Sequence, residues 1–295
     1  MKKVDLSLVD ESFLNNYISS INIENIKLKL KELSLDYIAD NLESIIKSDI
    51  DKIEMRYRNL LAGKSKEDLK EIENIFNYTG HRAKEKFIKN FSKLGIKSCP
   101  FCNNNYVYFY KKNSEEYDDT VATLEHYYPK AKYPHLSLSF YNLIPSCYIC
   151  NSKFRGKASY VGNILHPYKD DFHKRATFSL HVDGLPVSKD IELKVKLKSN
   201  EKDDTKCETT IKRFHLDKIY EEHEDIAKEI WNKTQVYNED RIKELYNSFY
   251  KELGYSKEDV ENFVFSNYLE EKDINKRNHS KLTQDIKKQL KNFHK

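Results

Sequence analysis

LEHYYPKAKYPHLSLSFYNLIPSCYICNSKFRGK, residues 124–157, is the stretch on which the reading of this chain turns. Within 34 positions it carries Glu125-His126, the separated asparagines Asn142 and Asn151, and the pair Cys147-Tyr-Ile-Cys150. It also holds five basic residues, Lys130, Lys132, Lys153, Arg155 and Lys157. A second Cys-x-x-Cys, Cys99-Pro-Phe-Cys102, precedes it, with 44 residues between the two pairs. Polar, metal-ligating and basic side chains at this density set the stretch apart from its surroundings.

Two Cys-x-x-Cys pairs can deliver four thiolates to one tetrahedral zinc, each pair forming a compact knuckle that turns both sulfurs inward. A four-thiolate site is closed, so its expected role is structural, clamping the start of the domain to the region just after Asn142. Reduced unligated thiols or a redox pair are the alternatives. Cys207 stands alone and is expected to be a buried or idle thiol.

Charge points the same way by its distribution rather than its total. The chain has 51 Lys and Arg against 47 Asp and Glu, a formal net charge of only +4. Between His126 and Lys169, however, there are six basic residues and no acid. A local positive field of that kind suits a polyanion. The last 25 residues hold eight bases against three acids, which reads as a solvated charged end. Neither a signal-peptide core nor a run near the ~20 apolar residues of a membrane span is present. A cytoplasmic protein without a membrane partner is therefore expected.

Outward from this stretch the pattern becomes helical. Ile38, Leu42, Ile45, Ile46, Ile50, Ile53, Tyr57, Leu60 and Leu61 recur at three- and four-residue steps, one stripe of an amphipathic helix that Gly63 is placed to end. Ser65-Lys-Glu-Asp68 and Ser256-Lys-Glu-Asp259 have the form of capping boxes. Asn105–Tyr110 has strand-forming composition. Thr177–Val182 and Ile191–Leu197 alternate apolar with polar residues around the turn signal Asp183-Gly184, which predicts a hairpin. From about Thr210 the helical pattern returns. The segmentation is a helical region over 1–95, a site domain over 96–175, a hairpin extension over 176–209 and a helical region over 210–295. The fold class is α+β.

The order Cys-x-x-Cys, Glu125-His126-x-x-Pro129, Asn142-Leu143, then Cys147-x-x-Cys150-Asn151-x-Lys153 resembles the HNH endonucleases, the ββα-metal family, over roughly residues 96–170. The segments CPFCN, EHYYPKAKYP, SFYNLIPSC and CNSKFRGK are similar to HNH nucleases of bacterial anti-phage defence systems of the Septu type. The resemblance implies a zinc-supported ββα-metal nuclease core that cuts nucleic acid, most of all DNA, beside a regulatory ATPase partner of the SMC/ABC class. His126 would be the general base at the end of the first strand. Asn142 would hold the His126 ring in orientation, and Asn151 would open the helix across the hairpin. Glu125 and Asn151 are hard oxygen donors suited to a catalytic Mg²⁺ or Mn²⁺. Lys130, Lys132, Lys153, Arg155 and Lys157 would meet phosphates.

Two positions depart from the family pattern: Glu125 stands where Asp is usual, and Asn151 where many members have His. Both replacements keep an oxygen donor. Rival readings are a non-catalytic zinc-ribbon module that docks nucleic acid or protein, and an RNA-cutting effector with the same site. His135, His166 and His173 are expected to be structural.

Overall fold

A computed structural model describes residues 1–111, 119–154, 162–183 and 192–291. Among these residues the chain is α+β, with many short helices and three two-stranded antiparallel sheets. The strands are β1 (Phe109–Tyr110), β2 (Asp119–Thr120), β3 (Thr123–His126), β4 (Leu143–Ser146), β5 (Ala176–Asp183) and β6 (Glu192–Ser199). They pair as β1–β2, β3–β4 and β5–β6. No helix among the described residues is long and apolar enough to cross a membrane. The chain divides into two compact units, one of Val4–Ile96 with Val107–Val161, the other of Met1–Lys3, Lys97–Tyr106 and Gly162–Lys295.

The unit built on Val4–Ile96 wraps helices around an aromatic core. Phe13, Tyr17, Phe87, Phe91 and Phe140 meet in ring pairs 5.2–5.7 Å apart, and all five are buried. Ring pairs of this geometry add to the area term of burial. The Tyr17 hydroxyl donates to the Leu138 carbonyl at 2.9 Å. Phe140 lies two residues before Asn142, so this core anchors the start of β4.

The apolar stripe from Ile38 to Leu61 is buried as expected, apart from half-buried Leu60, but it is not one helix. It runs as Asp36–Asp40, Leu42–Lys47 and Ile50–Lys52, followed by a π-helical turn at Ile53–Tyr57. Ser48 is extended, with φ −66° and ψ 134°, and the Asp49 side chain accepts from the Lys52 amide to start a new helix. Local capping therefore overrides a continuous period. Gly63 takes φ +86°, the left-handed turn that closes the segment. Ser65 then forms its capping box with Asp68.

In the other unit, β5 and β6 pair as the alternation predicts, with Phe178 opposite Leu197 and Leu180 opposite Val195. Phe178, Leu180, Leu193, Val195 and Leu197 are buried and Lys194, Lys196 and Lys198 are exposed. The turn residue Gly184 and strand residue Ile191 lie outside the described residues. On its other side β5 is bonded by side chains of the Ser280–Lys291 helix. Asp285 accepts from the Phe178 amide at 2.9 Å, and Gln289 both accepts from and donates to Leu180. These bonds satisfy main-chain groups that an edge strand otherwise leaves open. Ser256 forms the second capping box, with Asp259.

The expected strand over Asn105–Tyr110 is mostly absent. Only Phe109–Tyr110 is a strand, and Tyr106 makes a single bridge to Ser98. Asn103 explains this locally: its backbone is left-handed at φ 51°, and the chain leaves a tight knuckle before it can extend.

Candidate functional site

Cys99, Cys102, Cys147 and Cys150 are all buried, and their sulfurs lie within 4.8 Å of one another. Zinc–thiolate bonds of about 2.3 Å in a tetrahedron require sulfurs about 3.8 Å apart. The four cysteines are thus positioned to bind a zinc ion. No disulfide links them. Main-chain amides point at the sulfurs: Asn104 N–H donates to Cys102 Sγ and Cys150 N–H to Cys147 Sγ, each at 3.4 Å. Cys207, by contrast, is buried with its thiol pushed up to about 11 by desolvation, and it donates to the Arg175 carbonyl. It is an inert core thiol.

Asn103 holds the first knuckle in shape and was not singled out in the sequence. It is wholly buried. Its amide nitrogen donates to Ser98 Oγ and to the Ile274 and Arg277 carbonyls, and its oxygen accepts from the Lys281 amide. Partners some 170 positions away leave no local trace in the sequence.

His126 ends β3, opposite Leu143 in the register with β4. Its ring is 3% exposed. Nε2 lies 3.0 Å from the Ser137 carbonyl. A carbonyl can only accept, so Nε2 carries a hydrogen and donates it to Ser137. The Tyr78 ring meets the His126 ring edge-on at 4.3 Å. Tyr78 comes from the Tyr78–Arg82 helix, in the region that the sequence marks only as scaffold.

Asn142 spends its whole amide on main chain. Its oxygen accepts from the Tyr128 amide at 2.6 Å, and its nitrogen donates to the carbonyls of Leu136 and Tyr128. These bonds fix the loop between β3 and β4, and that loop in turn presents the Ser137 carbonyl to His126. A hold of Asn142 on the His126 ring, as the resemblance implies, would run through this loop. Glu125 is 1% exposed beside His126. Asn151 lies in the π-helical turn Ile149–Phe154, which packs against β3. Its half-buried side chain has no hydrogen bond among the described residues.

Of the basic residues, Lys130 pairs with Glu73 at 2.7 Å, Lys132 lies over the Tyr133 ring and Lys153 is exposed. Arg155 and Lys157 lie outside the described residues. His135 is buried, with Nε2 on the Tyr57 carbonyl, and desolvation holds its pKa down to about 4. His166 is also buried and accepts from the Tyr168 amide. His173 is held low by burial and by Lys281 nearby.

No protein-family model matches the chain, and no solved structure matches it. Protein ea31 of Escherichia phage lambda is 26% identical to it over 141 residues, covering 46% of this chain and 38% of that protein. The chain thus spans under two-fifths of the length of this relative.

Proposed function

We propose that the chain is a metal-dependent HNH-type endonuclease that hydrolyses nucleic-acid phosphodiesters, DNA first among them. The observation that carries the reading is the hydrogen bond of His126 Nε2 to the Ser137 carbonyl. With Nε2 donating there, Nδ1 of the neutral ring would be the nitrogen that accepts a proton as general base. Glu125 precedes it in β3, and Asn151 follows β4 on the adjoining helical turn. A carboxylate and an amide oxygen are hard donors, and this donor set fits Mg²⁺ or Mn²⁺. When bound, such a cation polarises the scissile phosphate and stabilises the leaving oxygen.

The remaining work falls to the chain itself. His126 Nδ1 takes the proton of the attacking water. The Ser137 carbonyl, fixed through Asn142, keeps the ring in the useful tautomer. Lys130, Lys132 and Lys153 neutralise backbone phosphate on either side. The cysteine cluster supports the fold around this apparatus and takes no part in proton transfer.

The test is cleavage of supercoiled plasmid and of RNA with Mg²⁺ or Mn²⁺, by wild type and by His126→Ala, with and without co-purifying protein. The co-purification arm also tests the ATPase partner that the resemblance implies. Metal-dependent nicking or cutting of DNA that disappears in His126→Ala is expected. Binding without cutting in both proteins would favour a docking module, and cutting of RNA alone would favour an RNA-directed effector.

A further inference from the structure

The loop that follows His126 carries no acid of its own, yet two carboxylates from the helical segment reach it. Glu54 Oε1 accepts from the Tyr128 hydroxyl at 3.3 Å. Glu73 takes Lys130 on Oε1 at 2.7 Å and Lys70 on Oε2 at 3.2 Å, so two lysines grip its two oxygens. The Glu73 side chain is only 13% exposed. Burial raises its pKa, but the two lysine hydrogen bonds outweigh this and hold it below the usual carboxylate range. The Lys130 ammonium also lies 5.9 Å over the Tyr78 ring, and that ring packs on His126. A continuous line of contacts therefore runs from the proposed base through Tyr78 and Lys130 to a carboxylate held by two cations.

We propose that Lys130, Lys70 and Tyr78 form a seat for a backbone phosphate of nucleic acid next to His126, and that Glu73 fills this seat as a built-in phosphate mimic. The inference rests on the reading of the site as one that engages nucleic acid. Two ammonium groups converging on two oxygens of one anion is an arrangement a phosphate can take over directly, because phosphate offers the same acceptors with more charge. The exchange is feasible because ion pairs near a surface contribute little net stability. Substrate entry then requires Glu73 to leave, so the Lys66–Phe76 and Tyr78–Arg82 helices cover the site until a polyanion competes.

The experiment measures binding of a short fluorescein-labelled DNA duplex by anisotropy across a salt series, without added magnesium or manganese so that no cleavage intervenes. Glu73→Gln keeps the shape and removes the competing charge. It should bind about three- to tenfold more tightly at low salt and steepen the salt slope by about one ion. Lys130→Gln should bind more weakly than wild type, and Glu73→Gln should bring no gain in the Lys130→Gln background. A merely structural Glu73 would lower the melting temperature without tightening binding. Unchanged or weaker binding by Glu73→Gln overturns the proposal, as does an equal gain in the Lys130→Gln background or no binding by either form. Cleavage separates this from the nuclease reading. Tighter Lys130-dependent binding with no cutting under any metal upholds the seat and sinks the enzyme. His126-dependent cutting with an inert Glu73→Gln does the reverse.

Discussion

Around Asn103, the amide is fully used: four bonds run to Ser98, Ile274, Arg277 and Lys281, and Lys281 itself is buried on Asp285 at 2.7 Å. Around His126 the bookkeeping of polar groups comes out differently. Asn142 is equally buried and equally spent on main chain. Yet in the same loop Ser137 Oγ, Ser139 Oγ and His135 Nδ1 are buried without a hydrogen bond, and Asn151 nearby has an amide without one among the described residues. A buried polar group left without a partner costs stability. In the first region the Asn103 side chain is spent wholly on structure, although the nearby Asn278 Oδ1 is buried without a hydrogen bond among the described residues. The second carries several such groups close together, a cost that the site of chemistry proposed above would tolerate.

The largest effect expected on this comparison is from the cysteines. Folding and zinc binding are one process for a four-thiolate site. Cys147→Ser should therefore yield insoluble or unfolded protein, and wild type should contain close to one zinc per chain by elemental analysis. Well-folded protein without zinc would refute this.

The three asparagines should then rank in stability. Asn103→Ala removes four bonds and places Ala at φ 51°, a loss of about 3–5 kcal/mol in denaturant unfolding. Asn142→Ala removes three bonds, about 2–4 kcal/mol. Asn151→Ala should change stability by less than about 0.5 kcal/mol, since its half-buried side chain gives up no hydrogen bond among the described residues. Equal losses at Asn142 and Asn151 would erase the distinction between spent and unspent amides.

Acid should also destabilise the fold in a defined window. His135 is held neutral by burial, with its pKa lowered from 6.5 to about 4. The unfolded chain therefore takes up its proton first, and stability falls as pH drops from about 6.5 toward 4. His81 and His279 are lowered by burial too and act in the same direction. The His135 contribution is on the order of 3 kcal/mol across that window. Unfolding of His135→Gln measured over the same range should show a shallower decline than wild type.

Local signals were legible in the sequence and distant ones were not. The capping boxes at Ser65 and Ser256 and the β5–β6 alternation need only neighbouring residues, and they appear where the pattern puts them. The two cysteine pairs were legible because metal ligation imposes spacing. The break at Ser48 was not, since the apolar period runs straight across it and only the Asp49 cap reveals it. Asn103, Tyr78 and Glu73 were invisible because what gives each its role lies far along the chain: Ile274 and Lys281, His126, and Lys130. The candidate site itself, Glu125, His126, Asn142 and Asn151, was named from residue order. The Ser137 carbonyl that accepts from His126 Nε2 is a main-chain group, and a sequence does not disclose it.

The central claim is that His126 supplies the base and Asn151 a metal ligand. It is tested most directly by plasmid cleavage across a Mn²⁺ titration with His126→Ala and Asn151→Ala side by side, any partner protein present. Loss of a general base costs ~10²–10⁴ in rate, and extra metal does not replace it, so His126→Ala should stay inactive throughout. Asn151→Ala should be inactive at low Mn²⁺ and recover in part at high Mn²⁺. Near-wild-type cutting by His126→Ala at any point of the titration would contradict the account.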